Sequence, residues 1–154
     1  MEKKYELTDE ILEVGRHVLH RIKALRDFGN VKKGDIGGWI ECEDNLSHDD
    51  DCWVYDKAII RDNATICDKA IIRGDATVRG EAEVENKSDY IVFKNWWSSG
   101  RYFTWTRSND MWSVGCFYGT GEELIKKAYN DSDESGREYE RIVKYVESIK
   151  QEFK

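Results

Sequence analysis

The sequence predicts a mainly β protein built around a short triangular coil of parallel strands, about two coils tall, with a β cap before it and an α+β cap after it. Three observations in register carry that reading. Alanine recurs every six residues at Ala58, Ala64, Ala70, Ala76 and Ala82. Two residues after each stands a β-branched aliphatic, Ile60, Ile66, Ile72, Val78 and Val84, and two residues before each stands a turn former, Asp56, Asp62, Asp68, Gly74 and Gly80. A six-residue period with one small and one branched inward position fits neither a helix nor a plain alternating strand. It suits a prism in which three hexapeptides close a turn, the small residues filling corners and the branched ones the axis.

Cys52 and Val54 extend the pattern one repeat upstream, so the coil is placed at residues 52–86, between an N-terminal β-hairpin and loop cap at 1–51 and a strand-helix cap at 87–154. The spacing resembles that of the hexapeptide-repeat proteins, and the resemblance implies a left-handed parallel β-helix. GDIGGWIE, followed by NLS and CWVYD, is similar to the leader of small hexapeptide-repeat proteins encoded by bacteriophages and prophages, and SSGRYFTWT with GCFYGTGEELIKKAY is similar to a tail found on some of them. That class is mostly uncharacterised, so the resemblance implies a fold and a viral origin rather than an activity. The repeat is also shorter here than in the family's pattern. So short a stack leaves both ends open, and the flanking segments or partner chains must cover them.

Wrapping the repeat onto a period of about eighteen residues stacks outward positions of successive coils. Trp53 falls over Ile71, Ile59 over Thr77 and Thr65 over Glu83, while Arg61 falls over Arg79 and Arg73 over Tyr55. The resemblance implies side-by-side trimers, for which a Trp53/Ile71 strip would supply apolar contact. Stacked arginines could hold a phosphate-bearing ligand near a subunit crevice. The plainer expectation is a solvated face paired with Asp62, Asp75 or Glu81.

Before the coil, KYEL, ILEV and HVLHRIKAL read as strands with Gly15-Arg16 as a hairpin turn, and Gly34, Gly37 and Gly38 read as tight turns. After it, residues 90–94, 101–107 and 112–118 read as strands. Thr120 and Glu123 form a capping box opening a first helix, and Tyr139, Ile142, Val143, Val146 and Ile149 give a second helix one apolar stripe. This last segment is expected to cover the lower end of the prism or a partner chain.

Composition narrows the function classes. With 24 Lys+Arg against 31 Asp+Glu, the formal charge of -7 disfavours broad nucleic-acid binding, which needs a basic field. No run approaches the length of a membrane span and the first residues lack the apolar core of a signal peptide, which points to the cytosol of the cell or viral host. Cys42, Cys52, Cys67 and Cys116 form no CxxC pair and are read as free thiols.

Hexapeptide-repeat acyltransferases use a histidine base, and the candidates are His17, His20 and His48, but two coils offer little length for an acyl carrier. His48 beside Asp49, Asp50 and Asp51 makes a poor metal set, because consecutive residues of an extended chain point apart. No metal or cofactor is expected. The remaining candidate is the strand on which Arg101, Phe103, Trp105 and Arg107 alternate onto one face, where arginine beside tryptophan suits a nucleotide. Trp96 and Trp97 are expected as further walls, and Arg61, Arg73 and Arg79 as the competing location. The expected function is ligand binding without turnover, such as a phage counter-defence sponge for a cyclic or ADP-ribose-type signal nucleotide. A structural interaction module and an acyltransferase are the alternatives.

Overall fold

The computed structural model describes residues 2–152 of the chain, so the last two residues of the expected C-terminal cap lie outside the described residues. β1 (Tyr5–Val14) and β2 (His17–Ala24) form the antiparallel hairpin around Gly15, whose φ of +61° is the left-handed region that glycine enters without a Cβ penalty. β3 (Ile36–Ile40) pairs antiparallel with β2 and, on its other side, parallel with the first strand of one coil ladder, so the hairpin is continuous with the coil. Gly37 and Gly38 do not make turns. They lie inside β3 where a Cβ would come within 2.6 Å of the carbonyl oxygens of Val54 and Ala58, so glycine is needed for close approach of two backbones.

The coil consists of β4 (Trp53–Val54), β5 (Ile59–Ile60), β6 (Thr65–Ile66), β7 (Ile71–Ile72), β8 (Thr77–Val78) and β9 (Glu83–Val84). They stack in three parallel ladders, β4 with β7, β3 with β5 and β8, and β6 with β9, in the register Trp53 with Ile71, Ile59 with Thr77 and Thr65 with Glu83. All five alanines and all five branched residues of the repeat are buried in one core. The turn formers take positive φ, 57° to 59° at Asp56, Asp62 and Asp68 and 66° to 67° at Gly74 and Gly80. Only glycine and short polar residues enter that region cheaply, which explains why those types hold the position. The carboxylates also tie coil to coil: Asp56 accepts from the Gly74 N–H and Asp62 from the Gly80 N–H, each at 3.0 Å.

Each coil donates backbone N–H groups to the carbonyls of the next, as in Trp53 to Ala70, Ile59 to Ala76 and Thr65 to Ala82. The first coil is therefore left with carbonyls and the last with N–H donors, and an unsatisfied buried group costs about 1–3 kcal/mol. The caps supply the partners. At the upper end, the fully buried Lys4 ammonium donates to the Cys52 carbonyl at 2.6 Å, and the Tyr5 hydroxyl donates to Leu46 at 2.6 Å. At the lower end, side-chain oxygens accept from the last coil: Tyr90 from Arg73, Thr104 from Thr77, Ser108 from Glu83 and Asp89 from Glu85.

Tyr90 and Thr104 lie in, and Asp89 and Ser108 lie beside, an antiparallel sheet of β10 (Tyr90–Lys94), β11 (Tyr102–Thr106), β12 (Met111–Val114) and β13 (Phe117–Gly119). The expected strand at 112–118 is two strands, because Gly115 at φ +56° turns the chain between them. α1 (Gly121–Asp131) starts with the Thr120/Glu123 capping box, and α2 (Asp133–Ile149) starts at Ser132. One face of the sheet meets the coil through Tyr90, Val92 and Thr104. The other buries Phe103, Trp105 and Trp112 under Leu124, Ala128, Tyr139, Val143 and Val146 of the helices.

Trp53 does stand beside Ile71, but it is not on an open strip. It is 1% exposed, with Phe28 and Tyr5 edge-on at ring distances of 5.2 and 6.2 Å. The N-terminal segment covers this side of the prism, an outcome the repeat alone did not disclose. Ile71 is partly buried and packs against the same core.

Candidate functional site

The arginine and aromatic strand separates into two environments. Both faces of β11 are covered, so Phe103 and Trp105, at 1% and 0% exposure, are core residues and cannot stack on a ligand as expected. The Trp105 indole N–H donates to Asp110 at 2.8 Å. Trp97 packs edge-on against Tyr139 and donates to Ser135, whereas Trp96 is exposed and meets only the edge of Trp97 among the described ring contacts. Arg107, at one end of the strand, pairs with Asp89 at 3.4 Å beside Glu83 and Glu85, surroundings that repel a phosphate. Arg73 stacks over Tyr55 at 4.3 Å on a different side of the coil.

Arg101, at the other end, meets the coil arginines. A cavity of about 540 Å³ lies between the β1–β2 turn, the Arg61/Arg79 face of the coil and the turn between β12 and β13. Its walls are Val14, Gly15, Arg16 and His17 from the hairpin, Arg61 and Arg79 from successive coils, and Arg101, Gly115 and Cys116 from the C-terminal sheet. Four arginines thus converge on one opening of a chain whose formal charge is -7. Gly115 has no Cβ to strike the Arg101 guanidinium, which lets that side chain lie across the turn.

Arg79 is held in place most firmly. It is 7% exposed, donates to the Phe117 carbonyl and lies 4.7 Å over the Tyr118 ring, and its Nε is buried with no partner among the described residues. Burial, followed by the adjacent Arg61 charge, lowers its pKa from the ordinary arginine value. Two guanidinium groups that repel one another are a standing source of attraction for an anion placed between them.

His17 lies on the wall beside two carboxylates. Its Nδ1 is 2.9 Å from Glu41 Oε2 and 3.5 Å from Asp62 Oδ1. Burial works against the Glu41 charge, but the hydrogen bonds from His17 and from the Asp62 N–H outweigh it and hold the carboxyl below the usual range. With Nδ1–H donating to Glu41, the neutral ring keeps its lone pair on Nε2, the tautomer a general base requires. The other two histidines have structural settings. His48 stacks on Tyr5 at 4.1 Å, accepts from the Lys4 N–H and meets Glu43 at 2.9 Å, and His20 sits in β2 opposite Ile40. Arg16, Glu41 and Cys116 carry no site signal in the sequence, since they lie far apart in the chain and share no motif.

A second opening, of about 470 Å³, is lined by Asp50, Asp51, Asp68, Lys69, Glu85 and Asn86 and has the wrong charge for a phosphate. No helix is long and apolar enough to cross a membrane among the described residues.

No family model matches the chain. Over 43 residues it is 42% identical to the Uncharacterized acetyltransferase YdcK of Escherichia coli (strain K12), a stretch covering 28% of this chain and 13% of that protein. The likeness is compatible with the hexapeptide-repeat family and reaches only a small part of its relative's length.

Proposed function

We propose that this chain binds a compact phosphate-bearing molecule of the nucleotide class in the cavity of Arg16, Arg61, Arg79 and Arg101. The convergence of those four side chains from three separate segments on an acidic protein carries the reading. A guanidinium offers paired donors to phosphate oxygens, and partial withdrawal from water strengthens each contact. The aromatic strand adds nothing to it, because its rings are core, so phosphate rather than base recognition is the basis. We read the ligand as held intact, which suits sequestration of a signal nucleotide, and we read the coil as left-handed and the chain as a homotrimer of phage origin, all three by resemblance to small hexapeptide-repeat proteins.

Acyl transfer is the second reading, favoured by the His17–Glu41 pair at 2.9 Å and by the partial likeness to an acetyltransferase. Here the arginines would bind the phosphates of an acyl carrier and His17 Nε2 would take the acceptor's proton. Thermal-shift and calorimetric titrations with pyrophosphate, ADP, ADP-ribose, a cyclic dinucleotide and acetyl-CoA test both readings. A probe at 100 times its dissociation constant adds about 2.7 kcal/mol of stability. Recovery of intact nucleotide after heat denaturation supports sequestration, and thiol release from acetyl-CoA that requires an added hydroxyl or amine acceptor, acetylates it and disappears in His17→Gln supports transfer. No shift with any phosphate at millimolar concentration refutes both and leaves a structural interaction module. Light scattering that returns a monomer at micromolar concentration refutes the trimer.

A further inference from the structure

The geometry points to a divalent transition-metal site formed by His17 Nδ1, Glu41 and Asp62. These residues come from three elements brought together only by the fold: His17 opens β2, Glu41 follows β3, and Asp62 is the corner after β5. One donor atom from each lies within 4.8 Å of the other two, with 2.9 Å from His17 Nδ1 to Glu41 and 3.5 Å to Asp62. Tetrahedral bonds of about 2.0–2.2 Å to zinc put adjacent ligand atoms about 3.3–3.6 Å apart, so the Asp62 contact at 3.5 Å already has a ligand separation and the Glu41 contact at 2.9 Å widens by about 0.4 Å as the metal replaces the proton between the two atoms.

The carboxylates are oriented from behind, as metal-binding carboxylates require. Glu41 Oε1 accepts from the Asp62 N–H at 2.7 Å and Asp62 Oδ2 accepts from the Gly80 N–H at 3.0 Å, which leaves Oε2 and Oδ1 directed to the histidine. Two carboxylates and one imidazole suit Zn²⁺, Mn²⁺ or Fe²⁺ better than Ca²⁺, which takes six to eight oxygens. Three protein ligands leave coordination positions for water. Because His17 and Arg61 both line the cavity, an anion's oxygen could also reach such a position. Arg61, Arg79 and Arg16 oppose a cation there, while the two carboxylates balance its double charge. The metal takes the Nδ1 lone pair: in the neutral ring the Nδ1 proton moves to Nε2, in the imidazolium it is released to solvent, and binding weakens as pH falls because protons compete for the imidazole and the carboxylates. This inference stands whether or not the cavity binds phosphate.

The test uses the full chain stripped with a chelator and dialysed, then titrated with Zn²⁺ by calorimetry and with Co²⁺ by visible absorption, without phosphate. The expected result is one equivalent bound by the wild type and by Glu85→Gln, which disables the separate Cys67, Asp68 and Glu85 cluster. Asp62→Asn keeps a side chain that tolerates the φ of 59° and still offers an oxygen to Gly80, and should weaken binding at least about tenfold. His17→Gln should weaken it further. Imidazole nitrogen NMR of the wild type needs no variant: Zn²⁺ should move the His17 Nδ1 resonance and leave His20 and His48 in place. No stoichiometric binding, unchanged affinity in both site variants, loss in Glu85→Gln, or a zinc shift at His48 instead would each overturn the site.

Discussion

Replacing Arg61, Arg101 and Arg107 one at a time by alanine separates the cavity from the rest of the arginine-rich surface. Arg61 and Arg101 line the 540 Å³ opening, whereas Arg107 is engaged by Asp89 at 3.4 Å beside two further glutamates. A charge-assisted contact to a bound phosphate contributes about 1.5–3 kcal/mol, which is about a 13- to 160-fold loss of affinity on removal. Arg107 and Asp89 form a partly buried pair outside that opening, so Arg107→Ala should change phosphate affinity less than about threefold even where it costs stability. The assay is calorimetry with pyrophosphate and ADP at fixed salt and with chelator present, each variant first checked for an unchanged thermal transition. Wild-type affinity in Arg61→Ala and Arg101→Ala, or an equal loss in Arg107→Ala, would refute the assignment of the cavity.

Thr104→Val, nearly isosteric, removes the acceptor for the Thr77 N–H at the lower end of the coil and should cost about 1–3 kcal/mol of stability by chemical denaturation; no loss would show that the cap does not serve that donor. Trp53→Asp places a carboxylate between Tyr5 and Phe28 in the core and should prevent or severely weaken folding, as read by near-ultraviolet circular dichroism. A folded variant that merely fails to associate would restore Trp53 as an interface residue. For Glu41, the folded pKa lies below the ordinary value of 4.5, so its stabilising contribution is present above that value and is lost as pH falls through the folded pKa. The melting-temperature difference between wild type and Glu41→Gln should therefore be full at neutral pH and shrink below about pH 4.5; a constant difference would contradict the linkage.

The repeat was legible because each of its positions has one local requirement: a small corner, a branched axis and a positive φ at Asp56, Asp62, Asp68, Gly74 and Gly80. The stacking of Arg73 over Tyr55, and of Trp53 beside Ile71, followed from the period alone. What covers an outward position did not. The repeat places Trp53 outward and holds no sign of Phe28 folding over it, and alternation on β11 sorts Phe103 and Trp105 onto one face without showing that this face is covered. The cavity joins Arg16, Arg79 and Arg101 from three distant segments of the chain, and no local pattern links them. Glu41 gives no signal, since its partner His17 precedes it by two strands and the loop between them.

The most direct test of the arginine cavity is a pyrophosphate titration of the nitrogen-labelled chain, followed through the Nε–H resonances of its arginines in the presence of chelator. The Arg61, Arg79 and Arg101 signals should move together along one saturable curve, while those of Arg73 and Arg107 stay in place. Equal small shifts at all arginines, or saturation at Arg107 with the cavity arginines unmoved, would contradict the site.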